Sequence, residues 1–308
     1  MALPTPGLRH VPLKGVLYMM GGVLFLSVMD ASAKWLTSGY SVAQLIFLGR
    51  LPAPLFAAAL ALAGGGLGTL KTARIGWHLL RATFGALTMG TFFYALKLLP
   101  LADTVTIAFV GPLFMCALSV PVLGEKVGPR RWIAIFVGLV GVIVILQPSG
   151  AGFGLGPILA LTAAFTYAVS VTLSRRISNT ETSHSMLFWF SVFLILGSGA
   201  IVPQQWVTPQ GSDIVVFIIL ACAGTVERYL LTQAFRYGEI SFLAPLEYTA
   251  LIWAALFGWL LWQQFPTLTV LAGGAVIVAC NLYIVHREAR DHGRRLQPIA
   301  DAAHLPEA

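Results

Sequence analysis

Successive apolar runs of about 20 residues, separated by short polar or glycine-rich corners, set the first limit on this 308-residue chain. A run of that length, coiled as a helix, crosses about 30 Å of hydrocarbon. Only 10% of the residues are charged and 57% are hydrophobic, whereas soluble domains carry about 25% charged residues. An ordinary water-facing surface cannot be built from so few charges. Strict two-residue alternation is absent, which argues against an outer-membrane barrel. The fold class predicted is an all-α integral membrane protein.

The corners "AGGGLGTLKTARIG", "LGEKVGPRR", "QPSGAGFGLGP", "WVTPQGSD" and "WQQFPT" punctuate the pattern. Between them the reading gives ten transmembrane helices, approximately Gly15–Thr37, Val42–Ala63, Gly76–Leu98, Asp103–Leu123, Arg131–Leu146, Leu155–Ile177, Ser185–Trp206, Asp213–Arg236, Ser241–Trp262 and Leu268–Val285. With the N-terminus inside, fifteen of the nineteen Lys and Arg fall in cytoplasmic segments, leaving Lys34, Arg50, Lys97 and Arg228. That asymmetry predicts an inner-membrane protein with both termini cytoplasmic. The expected units are a cytoplasmic segment 1–14, a five-helix repeat 15–148, a linker 149–154, a second repeat 155–286 and a disordered basic tail 287–308. The basic start of that tail is placed to meet anionic headgroups.

A competing reading of the N-terminus is a signal peptide, because Arg9 and Lys14 precede an apolar run and "ASAK" at Ala31–Lys34 offers small residues for cleavage. A retained first span fits better ahead of nine others. Cys116, Cys222 and Cys280 lie singly in three spans and read as small packing residues, with no metal-ligand spacing and no disulfide framework. "GAGFGLG", Gly150–Gly156, follows a membrane span and no βαβ unit, so it reads as a flexible link rather than a phosphate loop.

The chain also matches itself. The stretch "ALKLLPLADTVTIAFVGPLFMCALSVPVLGEKVGPRRW" from Ala95 lies over "AFRYGEISFLAPLEYTALIWAALFGWLLWQQFPTLTVL" from Ala234, which pairs Lys97 with Arg236 and Gly124 with Gln263. A slightly longer shift pairs Gly15 with Gly156 and Lys34 with Arg175. Halves of five spans run in opposite directions because five is odd, and inverted repeats are an architecture of secondary transporters.

With "ALKLLPLADTVTIAFVGPLF", "LGEKVGPRRWIAIFVGLVGVIVI", "APLEYTALIWAALFGWLL" and "MDASAKWL…QLIFLGR" in view, the chain resembles the EamA-like branch of the drug/metabolite transporter superfamily from about Gly15 to Glu288. The resemblance implies ten helices in two inverted five-helix repeats, transport of small metabolites by alternating access, and no catalytic residue. Amino acids, nucleoside-like metabolites, flavins and S-adenosylmethionine are among the family's substrates. Two departures stand out: Gln263 and Gln264 replace the first half's Gly124 and Glu125, and the adjacent Glu227 and Arg228 interrupt a span where uncharged residues are expected.

Charges within spans are costly and survive facing the protein interior or a wet cavity. Asp30 and Lys34, one turn apart, and Arg50 read as one cluster toward the outer side, either a clasp between spans or the mouth of a pathway. Arg50 offers a planar fork to a carboxylate or phosphate, or holds Asp30 until substrate competes. Glu227, Arg228 and Glu247 reach matched inner depths. Arg228 pairs with Glu247 in one reading, leaving Glu227 to a cavity; in the other Glu227 faces Arg236. Glu227 and Glu247 are candidate proton-coupling groups, and Tyr248 and Trp253 candidate ring-stacking ones. Pro52, Pro54 and Pro112 interrupt helix ladders and are candidate hinges. Asp103 reads as an N-cap, and His78 and His184 as interfacial.

The function predicted is secondary transport of an amino-acid-like or ring-bearing metabolite, with no cofactor, metal or nucleic-acid partner. Uptake of S-adenosylmethionine or another nucleoside-like cation is the alternative substrate reading, favoured by Asp30, Glu227 and Glu247. A membrane-embedded enzyme or a scaffold is the alternative class, and HExxH, GxSxG and paired-cysteine motifs are absent from the sequence. A proton is the candidate coupling ion and a homodimer the candidate assembly. Intact-mass measurement of the purified protein is expected to show the segment up to Ala33 retained; its loss establishes the signal peptide.

Overall fold

The structure, a computed structural model, describes residues 13–124, 127–146, 154–178, 180–237 and 243–302. Residues 1–12, the Glu125–Lys126 corner and most of the expected linker lie outside the described residues. Twelve α-helices are described: α1 Leu13–Leu36, α2 Val42–Arg50, α3 Pro52–Ala63, α4 Ile75–Leu98, α5 Leu101–Ala108, α6 Gly111–Leu123, α7 Pro129–Leu146, α8 Leu155–Ile177, α9 Ser183–Ile201, α10 Ser212–Tyr237, α11 Thr249–Trp262 and α12 Leu268–Ala302. No strand occurs among the described residues.

Among the described residues, eight stretches are long and apolar enough to cross a membrane, with α2–α3 and α5–α6 each serving as one broken span. The remaining expected spans are shorter here. α7 has 18 residues, and the ninth opens with a 3-10 turn, Ala244–Tyr248, before the 14-residue α11. α12 continues as helix to Ala302 rather than ending at a disordered tail from 287. Arg and Ala are the commonest residues of that extension, and both favour helix locally.

Burial is inverted relative to a soluble protein. Leu55, Phe136, Ile133 and Ile252 point outward at 61–75% exposure, while Gln44, Thr104, Ser191 and Asn281 are buried at 1% or less. An apolar exterior around a partly polar interior suits lipid as the surrounding solvent. Cys222 is exposed rather than packed, unlike Cys116 and Cys280.

The helix pairings follow a two-fold pattern. The most extensive are α1 with α10, α4 with α8, and α7 with α12. Exchanging the halves turns the first pairing into the second and leaves the third unchanged. α1 faces α10 in antiparallel register, Gly22 against Leu231 and Met29 against Gly224. α4 is antiparallel to α8, with the Ser170 hydroxyl on the Arg81 carbonyl and Thr88 on Thr166. α1 and α4 finish at the same end, where Lys34 reaches the last turn of α4. The first helix of the second half, α8, therefore runs opposite to α1. Where α7 and α12 meet, a Cβ on Gly273 would sit 2.5 Å from the Gly141 carbonyl oxygen, so only glycine lets the backbones approach so closely.

The two polar corners share a backbone conformation. Gly124 ends α6 with φ 72, and Gln263, its counterpart in the second half, ends α11 with φ 54. Each N–H turns back to carbonyls of its own last turn, as left-handed C-caps do. Glycine takes this conformation freely, while a residue bearing Cβ is strained by roughly 1 kcal/mol. Gln263→Gly is therefore expected to stabilise the protein by about 0.5–1 kcal/mol. A rise in the thermal midpoint in detergent checks it.

Candidate functional site

Three helix interruptions carry Arg50, Glu247, Tyr248 and the expected prolines, while Asp30, Glu227 and Arg228 lie on the unbroken α1 and α10. At the first, Arg50 closes α2 and Pro52 opens α3 after Leu51. Neither Pro52 nor Pro54 has an N–H for the turn before it, so the ladder breaks there. At the second, α5 stops at Ala108 and α6 starts at Gly111, with Pro112 second in the new helix. At the third, Glu247 and Tyr248 occupy the 3-10 turn ahead of α11, with Pro245 in its first positions. Phe109, at the second break, packs against three of the apolar clusters.

The charges form one group rather than an outer and an inner one. From the register of Met29 with Gly224, Asp30 on α1 stands about one turn from Glu227 on α10. Asp30 and Glu247 both lie within electrostatic reach of Glu227, and Arg50 within reach of Glu227 and Arg228. Asp30 and Glu227 are 7% and 4% exposed. The Arg228 side chain is 50% exposed, although Arg50, Arg81 and Tyr167 from three other helices are all within its reach. A side chain so surrounded and still accessible opens into a crevice between helices.

Arg228 Nε lies 3.7 Å from Glu227 Oε2, although helix neighbours point about 100° apart. The long arginine stem curls back across that angle. The alternative contact between Glu227 and Arg236 falls on a side chain outside the described residues.

Arg50 fronts a small cavity of about 10 Å³ with Met29, Leu45, Met89 and Leu220 among its walls, roughly room for one water. Its hydrogen bond is to the Met89 sulfur at 3.4 Å. A thioether is a weak acceptor, and a guanidinium has five donors. The fork is thus poorly occupied.

Lys34 leaves the cluster the sequence suggests. Its Nζ donates to the carbonyls of Leu96 at 2.8 Å and Leu99 at 2.5 Å, and lies 5.4 Å from the Trp262 ring centre. Leu96 would normally accept from residue 100, but Pro100 has no N–H, so the lysine fills the gap. Asp103 is not an N-cap; Pro100 holds that position, and Asp103 sits in the first turn of α5 within reach of Lys34. Tyr248 meets Phe109 with ring centres 5.1 Å apart, and Trp253 stacks on Phe257 at 6.2 Å. Sequence reasoning passed over Tyr167, Phe109, Met89 and Asn281. Only Asn281, an amide inside an apolar span, left a signal that the rule for polar residues in spans would have caught.

Polar contacts close the bundle at both ends. At one, Tyr40 and Trp35 donate to the two oxygens of Asp213, at 2.8 and 3.3 Å. At the other, Glu181 accepts from Thr72 at 2.9 Å and Ser185 at 3.1 Å, with His78 Nε2 at 3.3 Å. His78 is fully buried there. Burial pushes the Glu181 carboxyl up, but hydrogen bonds from Thr72 and Ser185, with the His78 ring close by, outweigh this and hold it below the ordinary glutamate value of 4.5. A depressed folded value adds stability that is fully present above about 4.5 and lost as pH falls through the folded value. Hydrogen exchange in Leu67–Arg74 is expected to speed up below about pH 4.5, with Glu181→Gln flattening that dependence.

A solved crystal structure, 22% identical, shares this fold with a TM-score of 0.62 over 89% of this chain and 98% of its own. The S-adenosylmethionine uptake transporter of Rickettsia felis is 27% identical over 75% of this chain and 78% of its own. The riboflavin transporter of Rhizobium johnstonii is 26% identical over 90% and 92%. The pseudopaline exporter CntI of Pseudomonas aeruginosa is 26% identical over 86% and 94%. The profile of the EamA-like transporter family matches residues 13–147 and again 154–285. Matched through both halves, the chain belongs to the EamA-like transporter family, and it is a membrane transporter of small molecules.

Proposed function

We propose that this transporter carries a small zwitterionic metabolite of the amino-acid type, bound among Arg50, Asp30, Glu227 and Glu247, and moves it by alternating access. The observation that carries the reading is the Arg50 fork, which faces a cavity at a helix break with only the Met89 thioether as acceptor among the described residues. A carboxylate would take two parallel bonds from that fork. The acids around Glu227 would receive the cationic end, and the Phe109–Tyr248 pair a ring. S-adenosylmethionine joins an amino-acid carboxylate, a cation and an adenine ring, so it suits all three features. Riboflavin is the second reading, favoured by the rings and not requiring Arg50.

In this reading the chain crosses the inner membrane ten times with both termini cytoplasmic, α7 and the turn-plus-α11 segment supplying the two shorter crossings. The expected units 15–148 and 155–286 rock against each other, bending at Pro52, Pro54 and Pro112. Glu227 and Glu247 are the groups through which a proton would couple to transport. Arg228 stands beside them as the counter-charge that keeps Glu227 tolerable in the interior.

Counterflow in liposomes loaded with S-adenosylmethionine, an amino-acid panel or riboflavin tests the assignment. Saturable S-adenosylmethionine or amino-acid exchange is expected. Arg50→Gln should weaken apparent affinity for the carboxylate-bearing substrate about tenfold or more, and Arg50→Lys by less, because it keeps charge without the fork. Riboflavin exchange indifferent to Arg50 overturns the zwitterion reading. Transport that ignores a pH gradient removes the proton.

A further inference from the structure

Asn281 is a buried amide, 1% exposed, on the apolar part of α12, and its Nδ2 donates to the Phe109 carbonyl at 2.8 Å. That carbonyl needs an outside donor for a local reason. In an unbroken helix it would accept from the N–H of Leu113, which here donates to the Val110 carbonyl at 2.9 Å instead. The chain tightens there because Pro112 offers no N–H to Ala108 one position earlier. A carbonyl orphaned in this way inside a membrane protein is costly unless a side chain answers it.

The same amide serves the other half. Phe109 and Tyr248 are counterparts under the shift that also relates Gly124 to Gln263, and their rings meet where the two interruptions cross. The Tyr248 oxygen lies beside the donating side of the Asn281 amide, while Asn281 Oδ1 is buried without a hydrogen bond of its own. The two N–H groups of the amide thus have an acceptor in each half, the Phe109 carbonyl and the Tyr248 oxygen.

We infer that Asn281 is a positioning residue clipping the two helix interruptions together. Its Nδ2 holds the first half's Phe109 carbonyl with one N–H and faces the second half's Tyr248 oxygen with the other. The amide thereby links the backbone of one half to a candidate binding side chain of the other. Its transport consequence rests on the rocking motion proposed above; its structural consequence does not.

Hydrogen exchange on the purified full chain in lipid nanodiscs, without substrate, tests the clip. Asn281→Leu keeps the volume and removes the amide. It should speed exchange about tenfold in segments 107–114 and 246–252, while Cys280→Ala, next to it on α12, leaves both unchanged. Adding Pro112→Ala supplies the missing N–H, lets Leu113 return to the Phe109 carbonyl, and should restore protection in 107–114. Unchanged exchange at both breaks, faster exchange confined to α12, or a uniform rise along the chain overturns the proposal. Tyr248→Phe, which leaves the Phe109 bond intact, should lower the maximal rate of S-adenosylmethionine counterflow about tenfold with half-saturation nearly unchanged. An unchanged rate removes the Tyr248 side of the clip. A wild-type chain that does not exchange S-adenosylmethionine defeats the substrate reading, and the exchange pattern at the breaks still decides the clip.

Discussion

Every backbone N–H and carbonyl within hydrocarbon must find a partner inside the protein, and this requirement governs where the chain can be irregular. Proline leaves backbone carbonyls without an N–H partner, and at two places the orphaned groups are answered by side chains brought in from distant helices. Lys34 of α1 completes the end of α4 before Pro100. Asn281 of α12 completes the end of α5 before Pro112. These contacts span 62 and 172 residues of sequence. A local defect is thus turned into a long-range tie, and the breaks become places where helices from both halves must meet.

The pairing of the halves relies on a second constraint. Lipid gives apolar helices no reason to prefer one another, so close packing of small residues has to hold them. Gly141 against Gly273 brings α7 to α12, and Gly22 under Leu231 brings α1 to α10. Both are contacts between halves. The repeat has drifted until few identities survive, yet it persists in the left-handed caps at Gly124 and Gln263. The glutamine there, where the first half has glycine, holds the same conformation at some strain.

Much of this was legible in the sequence, and what was not has a common cause. Apolar runs and the cost of buried charge pointed to the helical membrane fold and to Asp30, Arg50, Glu227 and Glu247 as interior residues, because both follow from transfer of side chains out of water. The grouping of those charges was not legible. Counting depth assumes straight spans placed at equal height: Arg50 and Glu247 sit at interruptions, and the register that sets Met29 of α1 beside Gly224 of α10 is a packing property no single span reveals. Lys34 shows the same limit: its spacing from Asp30 matches a helix face, but the vacancy left by Pro100 drew it elsewhere. His78 sits at a span end by count, yet it is buried with its Nε2 3.3 Å from a Glu181 carboxylate oxygen.

Glu227 and Arg228 show how the two constraints combine. A neighbouring pair of opposite charge on one helix is a poor clasp, since the residues point apart, and Arg228 must bend to approach its neighbour. The gain is reach in several directions: Asp30 and Glu247 feel Glu227, Arg81 feels Arg228, and Arg50 and Tyr167 feel both. One turn of α10 therefore presents both signs of charge to α1, α2, α4, α8 and the turn before α11. Those elements belong to both halves. A zwitterion entering among them would replace protein-to-protein attraction with its own charges on each side, loosening the contacts between halves as it binds. In that way a substrate can both satisfy the crevice and release it to reopen.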